Sequence, residues 1–147
     1  MTATFNKCYG WVNALHQGSI NMGSDSIKMT LSSVATVSTN TSYADISANE
    51  VANGNGYTTG GTSISAPTTN SQTNGTYTLA ASQVVFTSAT ANMGTFRYVT
   101  GYDSTPGAKP LMGWWDYGST IVLQGANGDT FTIQFNSGNP GTIYTLA

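Results

Sequence analysis

Apolar positions recur along this chain with two different periods. Near the N-terminus they are spaced by four, three and three residues, at Phe5, Tyr9, Val12 and Leu15. This spacing puts them on one face of a helix. Thr4 is suited to cap the start of that helix, and Gly18 is suited to end it. The pattern predicts one short amphipathic helix over residues 4–17.

From residue 26 onward, apolar and polar positions alternate, as in strands with one buried face. Alternating or β-branched segments occupy residues 27–31, 76–79, 83–87, 96–102, 119–123, 130–135 and 142–146. Turn sequences separate them: TNGT at 73–76, STPGAKP at 104–110, GANGD at 125–129 and NSGNPG at 136–141. The pattern predicts a mainly β fold, an antiparallel β-sandwich or jelly-roll-like domain with a short N-terminal helix.

Strict alternation also predicts which side chains share a face of each strand. In TFRYVTGY, it places four residues together, namely Phe96, Tyr98, Thr100 and Tyr102. The opposite face of the same strand then carries Arg97, Val99 and Gly101.

The two periods divide the chain into an N-terminal helical or docking segment, residues 1–18, and a single β-sandwich domain, residues 19–147. Within the β domain, residues 32–72 are rich in Ser, Thr, Asn and Gly and poor in apolar residues. This composition predicts a loop-rich insertion with one or two short strands. Loops this long in a small domain are usually functional or ordered by a partner. A chain of 147 residues can bury a sufficient core without disulfides or metals.

The charge content of the chain excludes several classes of function. Only 7% of the residues are charged, the net charge is -2, and the four basic residues are scattered along the sequence. Nucleic-acid binding needs clustered basic residues, so we expect none. No apolar run is long enough to span a membrane, so we expect no membrane partner. The first residues lack the apolar core of a signal peptide, so we expect synthesis in the cytoplasm.

The segment NGNGYTTGG, residues 53–61, raises the possibility of a phosphate-binding loop. A dinucleotide fingerprint needs a third glycine where this chain has Thr59, and a helix should follow it. The sequence that follows is of strand and loop type, and no Lys lies between Lys28 and Lys109. We therefore expect no nucleotide and no other cofactor, and we interpret the glycines as residues that allow tight turns.

Catalytic and metal-binding residues are scarce. The chain has one His, one Cys and one Glu, and Cys8 and His16 would lie about 12 Å apart along a helix. Three of the aspartates, Asp25, Asp103 and Asp129, lie in turn-like contexts where they can bond to the backbone. No spacing matches a zinc or calcium site. We expect no catalytic residues, no metal and no enzymatic activity.

The segment GWWDYG, residues 113–118, is the richest in aromatic side chains. On a strand, Trp114 and Trp115 would point to opposite faces. Either one Trp packs in the core and the other under a loop, or one of them, with Tyr117, forms an interface with a protein or a glycan. Both interpretations stay open at this point.

Four segments carry a resemblance to a known group of proteins: GSDSIKMTLSS, ADISANEVANGNGYTTGG, FRYVTGYDSTPGAKPLMGWWDYG and GDTFTIQF. They resemble small virion proteins of tailed bacteriophages, of the capsid decoration (cement) type. The likeness covers the chain from about residue 5 to residue 147. It implies a β-sandwich or jelly-roll-like domain, no catalysis, and assembly in many copies on a virion.

The resemblance leads to specific expectations about partners. We expect the chain to bind the major capsid protein on the outside of the phage head and to stabilise it, and to associate with copies of itself as a dimer or trimer. The expected capsid contacts are Phe5, Tyr9, Trp11, Val12 and Tyr57. The alternatives are a neck component, or a tail or fibre component that binds glycan through Trp114, Trp115 or Tyr117.

Overall fold

The computed structural model describes residues 3–64, 69–135 and 141–146. Within these ranges, one helix of eight residues, α1 (Tyr9–His16), accompanies ten strands. The strands are β1 (Phe5–Lys7), β2 (Ile27–Ser32), β3 (Thr62–Ser63), β4 (Thr69–Thr73), β5 (Thr76–Ala81), β6 (Val84–Thr87), β7 (Phe96–Asp103), β8 (Leu111–Ile121), β9 (Thr130–Ile133) and β10 (Gly141–Leu146). Single 3-10 turns lie at Tyr43–Asp45, Ser47–Asn49 and Gly125–Asn127. The predicted mainly β class is confirmed.

The described strands form three sheets, and every pairing between them is antiparallel. The largest has the strand order β1-β8-β7-β2-β3. The two smaller sheets are β10-β5-β4 and β6-β9. One large apolar cluster takes side chains from all three, including Met29 of β2, Leu79 of β5 and Phe86 of β6. The core therefore lies where the three sheets meet.

The opposite face of the largest sheet is also covered. A second, smaller cluster joins Cys8, Ile46, Tyr102 and Leu111. The segment 41–43 holds this cover in place, because the amides of Tyr43 and Leu111 bond to the carbonyls of Lys109 and Thr41 across the sheet edge. The loop-rich insertion thus packs on the sheet as its second layer.

The N-terminal segment differs from the predicted helix over residues 4–17. Residues 5–7 form β1, which pairs with β8 and puts Phe5 opposite Trp115. The helix begins only at Tyr9, and Cys8 rather than Thr4 is its N-cap residue. Gly18 ends it as predicted, with φ of 68° and its amide bonded to the Leu15 carbonyl. The period-3.6 prediction was wrong for Phe5 because pairing with a long strand outweighed the helical pattern.

One residue of β7 departs from the predicted faces of that strand. The pairing of β7 with β8 shifts register between Phe96 and Tyr98, whose partners are Ile121 and Asp116, so the extra residues of this irregularity lie in β8. Phe96 and Val99 both join the large cluster, whereas Tyr102 packs in the smaller cluster. The prediction that Phe96 shares a face with Tyr102 was therefore wrong, since strict alternation holds only where the strand pairing is regular.

The hairpin predicted at TNGT is present. Thr73 and Thr76 face each other at the ends of β4 and β5, and the two residues between them, Asn74 and Gly75, have φ of 51° and 82°. Positive φ at both central positions is typical of a type I′ turn. β3 and β4 lie in or at the end of the insertion, for which one or two short strands were predicted, whereas the first half of β8 was not predicted. The turn predicted at 136–141 lies largely outside the described residues.

Candidate functional site

The glycine-rich segment 53–61 forms a tight turn against the sheets. Gly54 and Tyr57 exchange both backbone hydrogen bonds, with N···O distances of 2.8 and 2.9 Å. Between them, Asn55 and Gly56 have φ of 51° and 94°. This geometry is that of a two-residue turn, in which glycine is favoured because it has no Cβ to clash.

Two of these glycines also approach neighbouring backbone too closely for any other residue. A Cβ on Gly56 would lie 2.0 Å from the Thr87 carbonyl oxygen, and one on Gly61 would lie 2.0 Å from that of Met29. Both positions have positive φ as well. The glycines therefore bring this loop against β6 and β2, and the space a ligand would need is taken by the protein's own backbone.

A hydrogen-bond network centred on Glu50 fixes the loop. One carboxyl oxygen of Glu50 accepts from the Tyr57 hydroxyl and from the Gly60 amide at 2.8 Å. The other accepts from the Tyr43 hydroxyl at 2.5 Å. The Tyr57 hydroxyl in turn accepts from the amide of Leu31 in β2 at 3.1 Å. Every hydroxyl in this network has a hydrogen-bond partner, which offsets the cost of removing it from water.

Tyr102 extends the same network to the other face of the largest sheet. Its hydroxyl donates to the Gly60 carbonyl at 2.9 Å, and its ring stacks on Tyr43 with centroids 4.6 Å apart. Tyr57 packs in the large cluster against Phe86, whereas Tyr43 and Tyr102 belong to the smaller cluster. Glu50 therefore connects the packing on the two faces of the sheet.

The tyrosines of this network stay protonated. Burial and the adjacent Glu50 carboxyl raise the pKa of Tyr57 and of Tyr43 far above the ordinary tyrosine value. Burial, and next the proximity of Glu50, raise the pKa of Tyr102 to about 12. Each phenol is therefore a hydrogen-bond donor at neutral pH, and the arrangement is suited to structural support.

The predicted capsid contacts fall into two groups in the structure. Trp11 and Tyr57 are each 2% exposed and pack inside the large cluster. Phe5 is half-buried against Trp115, with ring centroids 5.0 Å apart. Val12 is also half-buried. Tyr9, in contrast, is 68% exposed. Trp11 and Tyr57 are core residues with no surface to offer a partner, and Tyr9 is the member of the set that faces solvent.

Tyr9 lies beside a loop that also exposes apolar side chains. The Tyr9 amide bonds to the Ser38 carbonyl at 2.9 Å. The loop that ends at Ser38 carries Val34 and Val37, which are 49% and 50% exposed. We call Tyr9, Val34 and Val37 the exposed apolar group. Of this group, the sequence pattern predicts only Tyr9 as a contact, because short Val-containing segments in a polar loop have no periodicity that separates exposed from buried positions.

The three aromatic residues considered for glycan binding are largely engaged within the chain. Trp114 and Trp115 point to opposite faces of β8 as predicted, Trp115 against the large cluster and Trp114 against the smaller one. The Trp115 ring lies 6.1 Å from that of Phe135, and the Tyr117 ring lies 5.6 Å from that of Phe131. All three side chains are half-buried, so this geometry favours packing over ligand stacking.

The described residues contain no group of three or more His, Cys, Asp or Glu side chains that could hold a metal ion. Burial raises the pKa of the Cys8 thiol to about 11, which keeps it protonated and unreactive. His16 bonds to the Val12 carbonyl one turn back in its own helix.

Comparison of this chain with protein-family models, with curated proteins and with solved structures found no match. Within the described ranges, no helix is long and apolar enough to cross a membrane.

Proposed function

We propose that this chain is a non-enzymatic structural protein of a tailed-phage virion, which binds the outside of the assembled head through its exposed apolar group. The observation that carries the proposal is the exposure of Tyr9, Val34 and Val37 on a structure in which the other aromatic side chains with described burial are buried or half-buried. Side chains of this kind are favoured at protein interfaces, because burying them removes apolar surface from water.

The mechanism of stabilisation follows from linkage. A protein that binds the assembled shell and not its dissociated subunits shifts the equilibrium toward the shell by mass action. A protein that binds the shell in this way benefits from a rigid scaffold, which the Glu50 network and the close-packed glycine turns provide. The core shared by all three sheets also supports a β-sandwich description of the domain. Association as a dimer or trimer would multiply the contacts with the shell.

The resemblance to decoration proteins supports this function over the alternatives. A neck component remains the second candidate, since its surface chemistry would be the same and only its copy number would differ. A glycan-binding tail or fibre component is less favoured, because Trp114, Trp115 and Tyr117 are half-buried and bonded into the domain's own packing.

The exposed apolar group can be tested on particles. We expect Tyr9→Ser combined with Val37→Thr to weaken binding to purified heads of the encoding phage by at least about tenfold, because roughly 1.4 kcal/mol of interface burial would be lost. Co-sedimentation of the purified protein with undecorated heads measures the affinity.

The matched control is Val85→Thr combined with Val122→Thr, since these valines are each 42% exposed and lie in β6 and just beyond β8. The control should bind like the wild type. If the variant at Tyr9 and Val37 bound heads as tightly as the control variant, the exposed apolar group would not be the contact surface. Failure of the wild type to bind any head particle would refute the proposed function itself.

A further inference from the structure

Two aspartates meet at the end of the largest sheet where β2 begins and β7 ends. Asp103 is the last residue of β7 and pairs with Ile27, the first residue of β2. Asp25 lies two residues before Ile27, in the segment that leads into β2, and its side chain is half-buried. The two carboxyl groups lie within hydrogen-bonding reach of each other. Their sequence contexts indicated separate turn residues, and only the sheet register brings them together.

Asp103 is completely buried, and one of its carboxyl oxygens has no conventional donor. Its Oδ1 accepts from the Thr105 amide at 2.9 Å. Its Oδ2 is buried and receives no hydrogen bond from any N–H or O–H donor of the described residues. The Oδ2 of Asp25 accepts from the Asn21 amide at 2.6 Å, which closes the turn of residues 21–25. A proton between the two carboxyl groups would supply the missing donor.

Other charged groups nearby do not neutralise this pair. Lys28 is the next residue of β2 after Ile27 and points to the opposite face, toward Gly60. Lys109, in the loop after β7, places its Nζ 5.6 Å from the ring centre of Tyr43. Arg97, on β7, is bonded to Asp116. Asp103 is fully buried and Asp25 half-buried, and two ionised carboxylates in contact without a cation are disfavoured in such surroundings.

A bound divalent cation is the other way to neutralise such a pair, but the surroundings do not favour it. Ca²⁺ takes six to eight oxygen ligands. Here Asp103 Oδ1 and Asp25 Oδ2 already accept hydrogen bonds from backbone amides. The Ser26 carbonyl accepts hydrogen bonds from Ser104. Few oxygens are left to complete a coordination shell around a fully buried position.

We propose that Asp103 and Asp25 share a single proton, and that this proton holds the turn of residues 21–25 on the end of the sheet. Met22 of that turn is buried in the large cluster, and so is Ile20, which comes just before it. Loss of the proton therefore places two negative charges beneath the segment that closes this end of the core. The protonation state of the pair, and therefore the pH, sets how firmly residues 17–26 are held on the end of the sheet.

The direction of the pH effect follows from the pKa of the buried Asp103 carboxyl group. Burial, and next the adjacent Asp25, raise the pKa of Asp103 from its ordinary 3.8 to about 6. The folded chain then holds a proton that the unfolded chain has already released. Stability is full below about pH 4 and falls as the pH rises through 6, by up to about 100-fold in the folding equilibrium constant.

The test compares the pH dependence of unfolding for the wild type and Asp103→Asn. The amide cannot ionise, yet it can donate to Asp25 as the shared proton does. We expect the wild type to lose stability between about pH 4 and pH 7 relative to the variant, as measured by urea unfolding. Asp129→Asn is the control. Asp129 accepts a hydrogen bond from the backbone amide of Gln124 at 3.0 Å, but none of its described contacts is another carboxyl group. It should keep the wild-type profile.

A direct measurement keeps the proposal testable even where a variant folds poorly. Carboxyl ¹³C NMR of the wild type should show one aspartate titrating near pH 6 that is absent from the Asp103→Asn spectrum. Parallel stability profiles for wild type and Asp103→Asn, or titration of every aspartate below about pH 4.5, would overturn the shared proton. So would stabilisation of the wild type, but not of Asp103→Asn, by millimolar CaCl₂ at neutral pH, which would identify a cation site instead.

Discussion

Glu50 is the single glutamate of the chain, and its carboxyl group is the centre of the hydrogen-bond network that joins Tyr43, Tyr57 and Gly60. It lies seven residues from Tyr43 and seven from Tyr57, and it accepts hydrogen bonds from both hydroxyls. Because Tyr57 is 2% exposed, removing its acceptor leaves the O–H of a buried tyrosine without an acceptor, although the oxygen still accepts from the Leu31 amide. Such groups typically destabilise a fold by about 1–3 kcal/mol each.

We therefore predict that Glu50→Ala lowers the free energy of unfolding by about 2–4 kcal/mol, because two tyrosine hydroxyls and the Gly60 amide lose their shared acceptor. Chemical denaturation measures the change. Glu50→Gln is the matched control, since it keeps the shape and one acceptor oxygen, and it should cost less than half as much. An unchanged denaturation midpoint for Glu50→Ala would show that the network contributes no stability.

At the scale of elements, the N-terminal segment is part of the domain. β1 forms one edge of the largest sheet through its pairing with β8. Helix α1 then places Trp11 in the large cluster. If residues 1–18 were a docking segment beside a single β domain, residues 19–147, the domain would not need that segment to fold. These contacts do not favour such a division.

Deleting residues 1–18 should consequently destabilise the whole fold. Loss of Trp11 alone is expected to cost about 3–5 kcal/mol, a large share of the roughly 5–15 kcal/mol that stabilises a typical domain. We expect the truncated chain to lose its cooperative thermal transition and its near-UV circular dichroism. A truncated protein that unfolds cooperatively at the wild-type temperature would contradict this and restore the docking-segment interpretation.

At the scale of the whole molecule, the surface limits the kind of partner. Only 7% of the residues are charged, and one ion pair, between Arg97 and Asp116, is found within the described ranges. The Arg97 guanidinium lowers the pKa of Asp116 to about 2. For the proposed binding to a phage head, long-range electrostatic steering would therefore contribute little, and affinity would depend on shape and apolar contact.

The proposed place of the molecule in a virion predicts its abundance there. A decoration protein should be present in on the order of hundreds of copies per particle, whereas a closed neck ring or a tail part has about a dozen or fewer. Quantitative mass spectrometry of purified virions, with the major capsid protein as internal standard, gives the ratio. A count near a dozen would favour the neck or tail alternatives and contradict decoration.

The sequence by itself determined the features that depend on neighbouring residues. Alternation predicted most strands, the NG pair predicted the hairpin between β4 and β5, and Gly18 marked the end of the helix. The departures from a nucleotide fingerprint around Thr59 correctly indicated a turn-forming role for the glycines of residues 53–61. These features follow from local backbone preferences, which a short window of sequence contains.

Only the tertiary structure decided which distant residues meet. Nothing in the local pattern joins Glu50 to two tyrosines, or Asp25 to Asp103, because these contacts depend on sheet register and on how a loop folds over it. Pairing with β8 likewise made a strand of Phe5 despite its helical spacing. Packing and strand pairing between segments far apart in sequence outweighed local periodicity, and they set which aromatic side chains are left to face a partner.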